Sequence, residues 1–355
     1  MRTTRDELFQ WVLDFGPKSR YNLSSSGLSE PDLQAMGIYT SLERVAVERE
    51  HENERLFAEE VAQAYQVEPY NVVLTAGASE AIFLAYSVFG GGGKAIVPLP
   101  NYPAMFTVPR SLGMKVDSSP RRAPRVHGAV FGLTDPNNPT GMSLDREDVD
   151  DLIDSAKGTG TNIFINETYR EFTFPDSPQT HFGRSGNVIT GNTMTKFYGL
   201  GRLRVGWILA DKQKARRVLY AKWAVSGHDS EYSLWIATQI LRKRTAFVER
   251  ARRIHSTNIE LVRKFLDRTK GVWADLGAAP FCLVHYKKGP ASVPLARGIF
   301  EKTGVLVAPG DYFGAPRTFR LCFTADSETL RAGLEELSGF LNGQETLLET
   351  SAERK

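Results

Sequence analysis

Cysteine is nearly absent: Cys282 and Cys322 are the only two in 355 residues, too few for a disulfide framework and suited to a reducing compartment. Long apolar runs are missing too, and nothing approaches the roughly 20 residues a membrane-spanning helix needs. The opening MRTTRDELFQWVLDF is charged and reads as a short amphipathic helix, without the apolar core of a signal peptide. The six histidines show no metal-ligand spacing, and HENER (51–55) is not the HExxH pair of a zinc site. Net charge is only +3 with no long basic run, which disfavours nucleic acid as a partner. There is no repeat and no low-complexity segment. These absences leave a cytoplasmic globular protein, with no membrane, nucleic-acid or metal partner expected.

Two phosphate motifs also fail on inspection. GGGGK (90–94) lacks the Ser/Thr of a P-loop and leads into a strand, while GLGRLRVG (199–206) misses the third glycine of the dinucleotide fingerprint.

What is present is alternation. ERLFAEEVAQAY and GASEAIFLAYSVF have helical patterning, as does DREDVDDLIDSAK with its acidic start. NVVLTA, KAIVPLP, VHGAVFGL (126–133), NIFIN, NVITGN and VGWILA read as strands. Such alternation predicts an α/β fold, a mostly parallel sheet with helices on both faces. The stretch from DSEYSLW to LVRKFL then reads as one long helix. FCLVHY, VLVAPG and FRLCFT follow as short strands, SETLRAGLEELSGFL as a closing helix, and SAERK as a frayed tail, together an α+β unit. The expected domains are an N-terminal segment (1–44) joining a small domain, a large domain (45–235) and a C-terminal small domain (236–355).

Ligands in such sheets bind beyond the carboxyl ends of the strands. The unusual residues cluster there: Gly77, Ala78 and Ser79; Tyr102; DPNNPTG (135–141) with Asn138; Asn166 and Tyr169 in FINETYREF; and Thr193, Thr195 and Lys196, with Arg204 beyond them. Taken singly, each reads as a turn glycine, a core tyrosine or a surface lysine. Taken together, they complement one ligand carrying a phosphate, an aldehyde, a flat ring, a phenolic oxygen and a ring nitrogen. Gly77, Ala78 and Ser79 open a helix and offer free backbone N–H groups to phosphate. Thr193 and Thr195 add hydroxyls and Arg204 a guanidinium fork. A desolvated Lys196 can form a Schiff base.

On TMTKFYGLGRLRVGW (193–207), DPNNPTG and TAGASEA, residues 20–340 resemble the fold-type I pyridoxal-phosphate enzymes, class I/II aminotransferase-like branch. The resemblance implies an aspartate aminotransferase-like fold with a seven-stranded, mostly parallel sheet, a pyridoxal 5'-phosphate cofactor, an α-amino acid substrate and a homodimer with shared active sites. It makes Lys196 the Schiff-base lysine and proton shuttle, with Arg204, Thr193, Thr195 and residues 77–79 on the phosphate. Tyr102 would stack on the ring, Asn138 and Tyr169 would contact the phenolic oxygen, and Asn166 would face the ring nitrogen. Arg320, in FRLCF, is placed where the family clamps the α-carboxylate, and Ser26 and Gly27 lie in the segment that closes over it. Tyr39 is the nearest counterpart of the tyrosine that reaches the partner's phosphate.

One residue departs from the pattern: Asn166 stands where the family has Asp. An amide forms no ion pair with a protonated ring nitrogen. It donates to an unprotonated nitrogen or accepts from a protonated one, and sequence leaves both open. The amide reads as a native specialisation, an engineered change, or a site where water or another acid supplies the charge; Glu167 points to the opposite strand face. YNLSSSGLSEPDL (21–33) further resembles capreomycidine synthase-like enzymes. Three functions therefore stand: an aminotransferase-like enzyme, an elimination, replacement or cyclisation enzyme acting on an arginine-type amino acid, and a non-catalytic relative that binds the cofactor.

Overall fold

The computed structural model describes residues 4–41, 51–118 and 127–352, with 344–352 as backbone only. Asp6 opens helix α1 (Glu7–Phe15) by accepting the Phe9 N–H at 3.0 Å, and the chain then enters β1 (Tyr21–Asn22). Next come α2 (Glu52–Tyr65), β2 (Val72–Thr75), α3 (Ala78–Phe89), β3 (Lys94–Ile96), α4 (Ala104–Ser111) and β4 (Lys115–Asp117). They are followed by β5 (Val130–Thr134), α5 (Arg146–Ala156), β6 (Asn162–Asn166), α6 (Arg170–Thr173), β7 (Val188–Thr193) and β8 (Gly206–Leu209). Helices α7 (Lys212–Val225), α8 (Glu231–Arg242) and α9 (Arg244–Arg268) lead to the C-terminal part. That part comprises β9 (Val272–Trp273), β10 (Phe281–Tyr286), α10 (Ser292–Thr303), β11 (Val305–Leu306), β12 (Ala308–Pro309), β13 (Thr318–Cys322) and α11 (Ser327–Ala352).

Seven strands form one sheet in the order β2-β8-β7-β6-β5-β3-β4, with only β8 antiparallel to its neighbours. This is the mostly parallel α/β sheet the alternating pattern predicts, with the seven strands that the family resemblance implies. β6 shows why it forms: Ile163 and Ile165 pack with α5, while Phe164 packs with α3. A central parallel strand is apolar on both faces because helices cover both. A four-stranded sheet, β12-β13-β10-β9, carries a second core with α1, α10 and α11. The core changes along α9, from Ala251 in the α2–α8 cluster to Val262 and Phe265 in the second.

Several expected elements come out shorter. The KAIVPLP strand stops at Ile96, just before Pro98 and Pro100, which cannot donate to a ladder. VHGAVFGL begins as strand only at Val130, because Gly128 turns the chain with φ +66°; Val126 lies outside the described residues. The long helix breaks at Lys243, whose ammonium donates to the Met36 and Gly37 carbonyls at 3.0 and 2.7 Å. SAERK is helical through Ala352, and 353–355 lie outside the described residues.

Candidate active site

The carboxyl ends of β2, β5, β6 and β7 converge on a cavity of about 300 Å³. It is lined by Ala78, Ser79, Tyr102, Asn138, Asn166, Tyr169, Thr193, Thr195, Lys196, Arg204, Ser26 and Arg320. At one end, α3 starts with no side-chain cap, so its first backbone N–H groups face the cavity. Gly77 makes that start possible: its φ is +83°, and a Cβ there would sit 2.7 Å from Arg204 Nη2. Arg204 is itself left-handed at φ 55° and donates to Ala76 O at 2.8 Å. The Thr193 hydroxyl donates to Val205 O at 2.9 Å and so accepts from Thr195 Oγ1, also at 2.9 Å. Together the helix N-terminus and the guanidinium make an anion cradle, beside which both threonine hydroxyl protons are engaged within the protein.

The middle of the cavity is a three-residue relay. Lys196 Nζ lies 3.2 Å from Ser26 Oγ, which also accepts the Tyr169 hydroxyl at 2.7 Å. Burial, then the Arg320 charge, lowers the Lys196 pKa from 10.5 to about 8. Burial pushes Tyr169 up to about 12, which keeps it a donor. Gly27 lets the SSSG segment lie on the lysine, since a Cβ there would be 3.1 Å from Thr195 O and 3.3 Å from the Lys196 stem. Leu28 N–H fixes the strap by donating to Lys196 O at 3.0 Å.

At the far end two amides line the wall. Asn166 ends β6 on the Phe164 side and is 3% exposed; its Oδ1 accepts Thr168 Oγ1 at 2.6 Å and Thr168 N–H at 3.3 Å. Asn138 Oδ1 accepts from Arg320 Nη1 at 2.8 Å. Arg320 is buried, stacks over Phe313 and Phe281, and gives Nη2 to Ser24 O at 2.7 Å. Its Nε has no acceptor among the described residues. Glu167 faces away, holding Thr180 Oγ1 at 2.8 Å and His181 N–H at 2.6 Å. Asp135 likewise turns to Arg170 and to His181 Nε2. No carboxylate lines this cavity among the described residues.

Sequence reasoning missed Thr168, and it missed Leu8, Phe9 and Val12 of α1, which form an apolar wall. The first had a signal: Asn-x-Thr after a strand is the pattern of an Asx turn. The second had none, because only tertiary packing brings α1 there. Tyr39 lies away from the cavity lining, its backbone exchanging hydrogen bonds with the Gln239 side chain. Residues 42–50, which follow it in the chain, lie outside the described residues. Spacing also hid one histidine group: His51 and His228 stack at 3.9 Å beside Glu54. An ion lies in the plane of each imidazole that binds it, so near-parallel stacked rings must turn before they share one.

These residues fit pyridoxal phosphate. The uncapped helix start and Arg204 suit its phosphate, the lysine of lowered pKa its aldehyde, and the Arg320 guanidinium on the cavity wall a substrate carboxylate. Fold and cavity define a pyridoxal-phosphate-dependent enzyme of fold-type I. A model of the class I and II aminotransferases matches residues 52–337, and the chain belongs to that family. It is 23% identical to an aspartate aminotransferase of Streptomyces avermitilis over 78% of this chain and 76% of the relative. To a histidinol-phosphate aminotransferase of Carboxydothermus hydrogenoformans it is 26% identical, over 72% and 73%. Among solved structures, a pyridoxal-phosphate-dependent aminotransferase of Streptococcus suis superposes with TM-score 0.83 at 22% identity, covering 96% of this chain and 98% of that one. The pyridoxal-phosphate-dependent cyclase OrfR superposes with TM-score 0.79 at 21% identity, covering 97% and 98%.

Proposed function

We propose that this enzyme removes the Cα proton of a free α-amino acid, with Lys196 both holding the cofactor and moving the proton. The observation that carries this is the lysine itself, lowered to about 8 and set 3.2 Å from Ser26 Oγ on the cavity floor. A base tuned toward neutrality can both attack an aldehyde and accept a proton. When bound, the cofactor supplies an electron sink for the pair left at Cα.

The other roles follow from position. Residues 77–79 and Arg204 hold the phosphate, and Thr195 joins them by turning its hydroxyl proton from Thr193 to the phosphate. Tyr102 stacks on the ring, and Tyr169 and the Asn138 amide hold its phenolic oxygen. Arg320, whose guanidinium lines the cavity, meets the substrate carboxylate beneath the strap of Ser26 and Gly27. A homodimer is the expected assembly, and the exposed Phe9 and Leu13, one turn apart on α1, suit a covered face (52% and 70% exposed).

Transamination is the family's usual outcome. A second reading, elimination or ring closure without net transamination, is favoured by Asn166 in place of Asp, which weakens the electron sink. OrfR shares the fold, and its name gives a cyclase as one chemistry that fold carries. For an arginine-type substrate, the guanidinium's counter-charge would have to come from beyond the described lining, which holds no carboxylate. A non-catalytic relative is disfavoured by the intact set of Lys196, Arg204 and Arg320.

The test is a panel of amino acids, arginine derivatives included, mixed with the cofactor-loaded protein. Keto acid with aminated cofactor supports transamination; loss of ammonia or water with the cofactor returned supports the second reading. Lys196→Ala should abolish the visible absorbance of lysine-bound cofactor and lower turnover at least about 10³-fold. Turnover that survives the substitution would rule out Lys196 as the base.

A further inference from the structure

An amide can face a pyridine nitrogen in two ways, donating through Nδ2 or accepting through Oδ1, and at Asn166 the fold selects one. A backbone N–H only donates, and Thr168 N–H points at Asn166 Oδ1 at 3.3 Å, joined by Thr168 Oγ1 at 2.6 Å. The amide oxygen is thus held inside an Asx turn, and the end left for the cavity is NH₂. A flipped amide would set N–H against N–H at a residue only 3% exposed. The charges around it act in the same direction. Those lining the cavity beside Lys196, whose amine holds the cofactor, are Arg204 and Arg320, both cationic. Glu167 and Asp135 are engaged with Thr180, His181 and Arg170, and Asp6, whose charge reaches Tyr102, caps α1 instead. Nearby cations disfavour one more positive charge.

We infer that Asn166, locked by Thr168, presents an N–H donor to the cofactor ring and holds its nitrogen unprotonated. Thr168 is a positioning residue for this contact. The inference rests on the proposed function, which brings the ring nitrogen to Asn166. A neutral ring withdraws less of the pair left at Cα, which favours expelling a β-substituent. In that step Lys196 takes the Cα proton, the freed pair becomes a Cα–Cβ double bond, and the substituent leaves with its bonding pair.

The experiment loads the protein with cofactor carrying ¹⁵N in the ring and follows that resonance against pH. The parent should stay at the unprotonated position as pH falls through neutrality. Asn166→Asp should move the resonance upfield to the protonated position. Thr168→Val removes the hydroxyl donor but keeps the backbone N–H that only donates, so its resonance should stay at the unprotonated position. A parent resonance at the protonated position overturns the inference. So does an Asn166→Asp protein that matches the parent, and a Thr168→Val protein at the protonated position removes the backbone lock. Failure of the underlying reading looks different: the label washes out on desalting, and no visible band forms.

Discussion

The two ends of the cavity are built by different means. The phosphate end is local: the β2–α3 turn and the segment from Thr193 to Arg204 each bring several groups from one contiguous stretch. The far end is assembled at long range, from Arg320 on β13, Asn138 beyond β5, Ser24 beyond β1 and Asn166 on β6. At the phosphate end backbone conformation does most of the holding. At the far end side-chain amides do, each oriented by a neighbour that can only donate: Arg320 for Asn138, Thr168 N–H for Asn166. A local cradle tolerates change elsewhere in the fold, whereas a long-range one fails when any contributor moves.

The sharpest way to break this contrast is Gly77→Val. The residue sits at φ +83°, which a β-branched side chain reaches only with strain of roughly 1–3 kcal/mol. Its Cβ would also stand 2.7 Å from Arg204 Nη2 and turn the guanidinium out of the cradle. Cofactor affinity, read by equilibrium titration of the visible band, should fall about 100-fold or more, with kcat at saturating cofactor much less changed. An equal loss in kcat would mean that the two ends are not separable.

Arg320→Gln tests the other end. It removes the charge that meets the substrate carboxylate and releases both Asn138 Oδ1 and Ser24 O. A hydrogen bond to a charged group contributes about 1.5–3 kcal/mol, so KM for the amino acid should rise roughly 10- to 100-fold. Cofactor binding should weaken only slightly, through the loosened Asn138. An unchanged KM would place the carboxylate elsewhere.

The same difference decided what was legible in the sequence. TAGASEA and TMTKFYGLGRLR could be read because the groups that cooperate there are neighbours in the chain. The strand ends were placed by apolar runs such as NIFIN, and they put Asn166 and Tyr169 at one rim. The orientation of the two amides could not be read, because it depends on Thr168 closing a turn and on Arg320 arriving from 182 positions away. The wall formed by α1 was hidden for a similar reason: amphipathicity says that a helix packs, not on what. The break at Lys243 carried no Gly or Pro to announce it and exists because its ammonium is drawn to the 36–37 turn.

Lys196 sits between the two ends, and its charge gives the smallest and most quantitative test. Its pKa in the fold is depressed from 10.5 to about 8, so the charged form is the one the fold disfavours. Below pH about 8 the lysine is protonated folded and unfolded alike, and the full destabilisation is present. Between about 8 and 10.5 the folded protein releases the proton while the unfolded chain keeps it. The unfolded state then binds more protons, and stability contributed by this group rises with pH. Lys196→Met should therefore stabilise the cofactor-free protein at neutral pH by about 1–3 kcal/mol, the range that a shift of this size corresponds to once partial exposure to the cavity is allowed for. That gain should shrink as pH climbs through the window. Urea denaturation of both proteins across it gives the difference directly. A gain independent of pH would assign the stabilisation to packing of the Met side chain and leave the lysine with an ordinary pKa, which would remove the physical basis for treating it as a base tuned by both ends of the cavity.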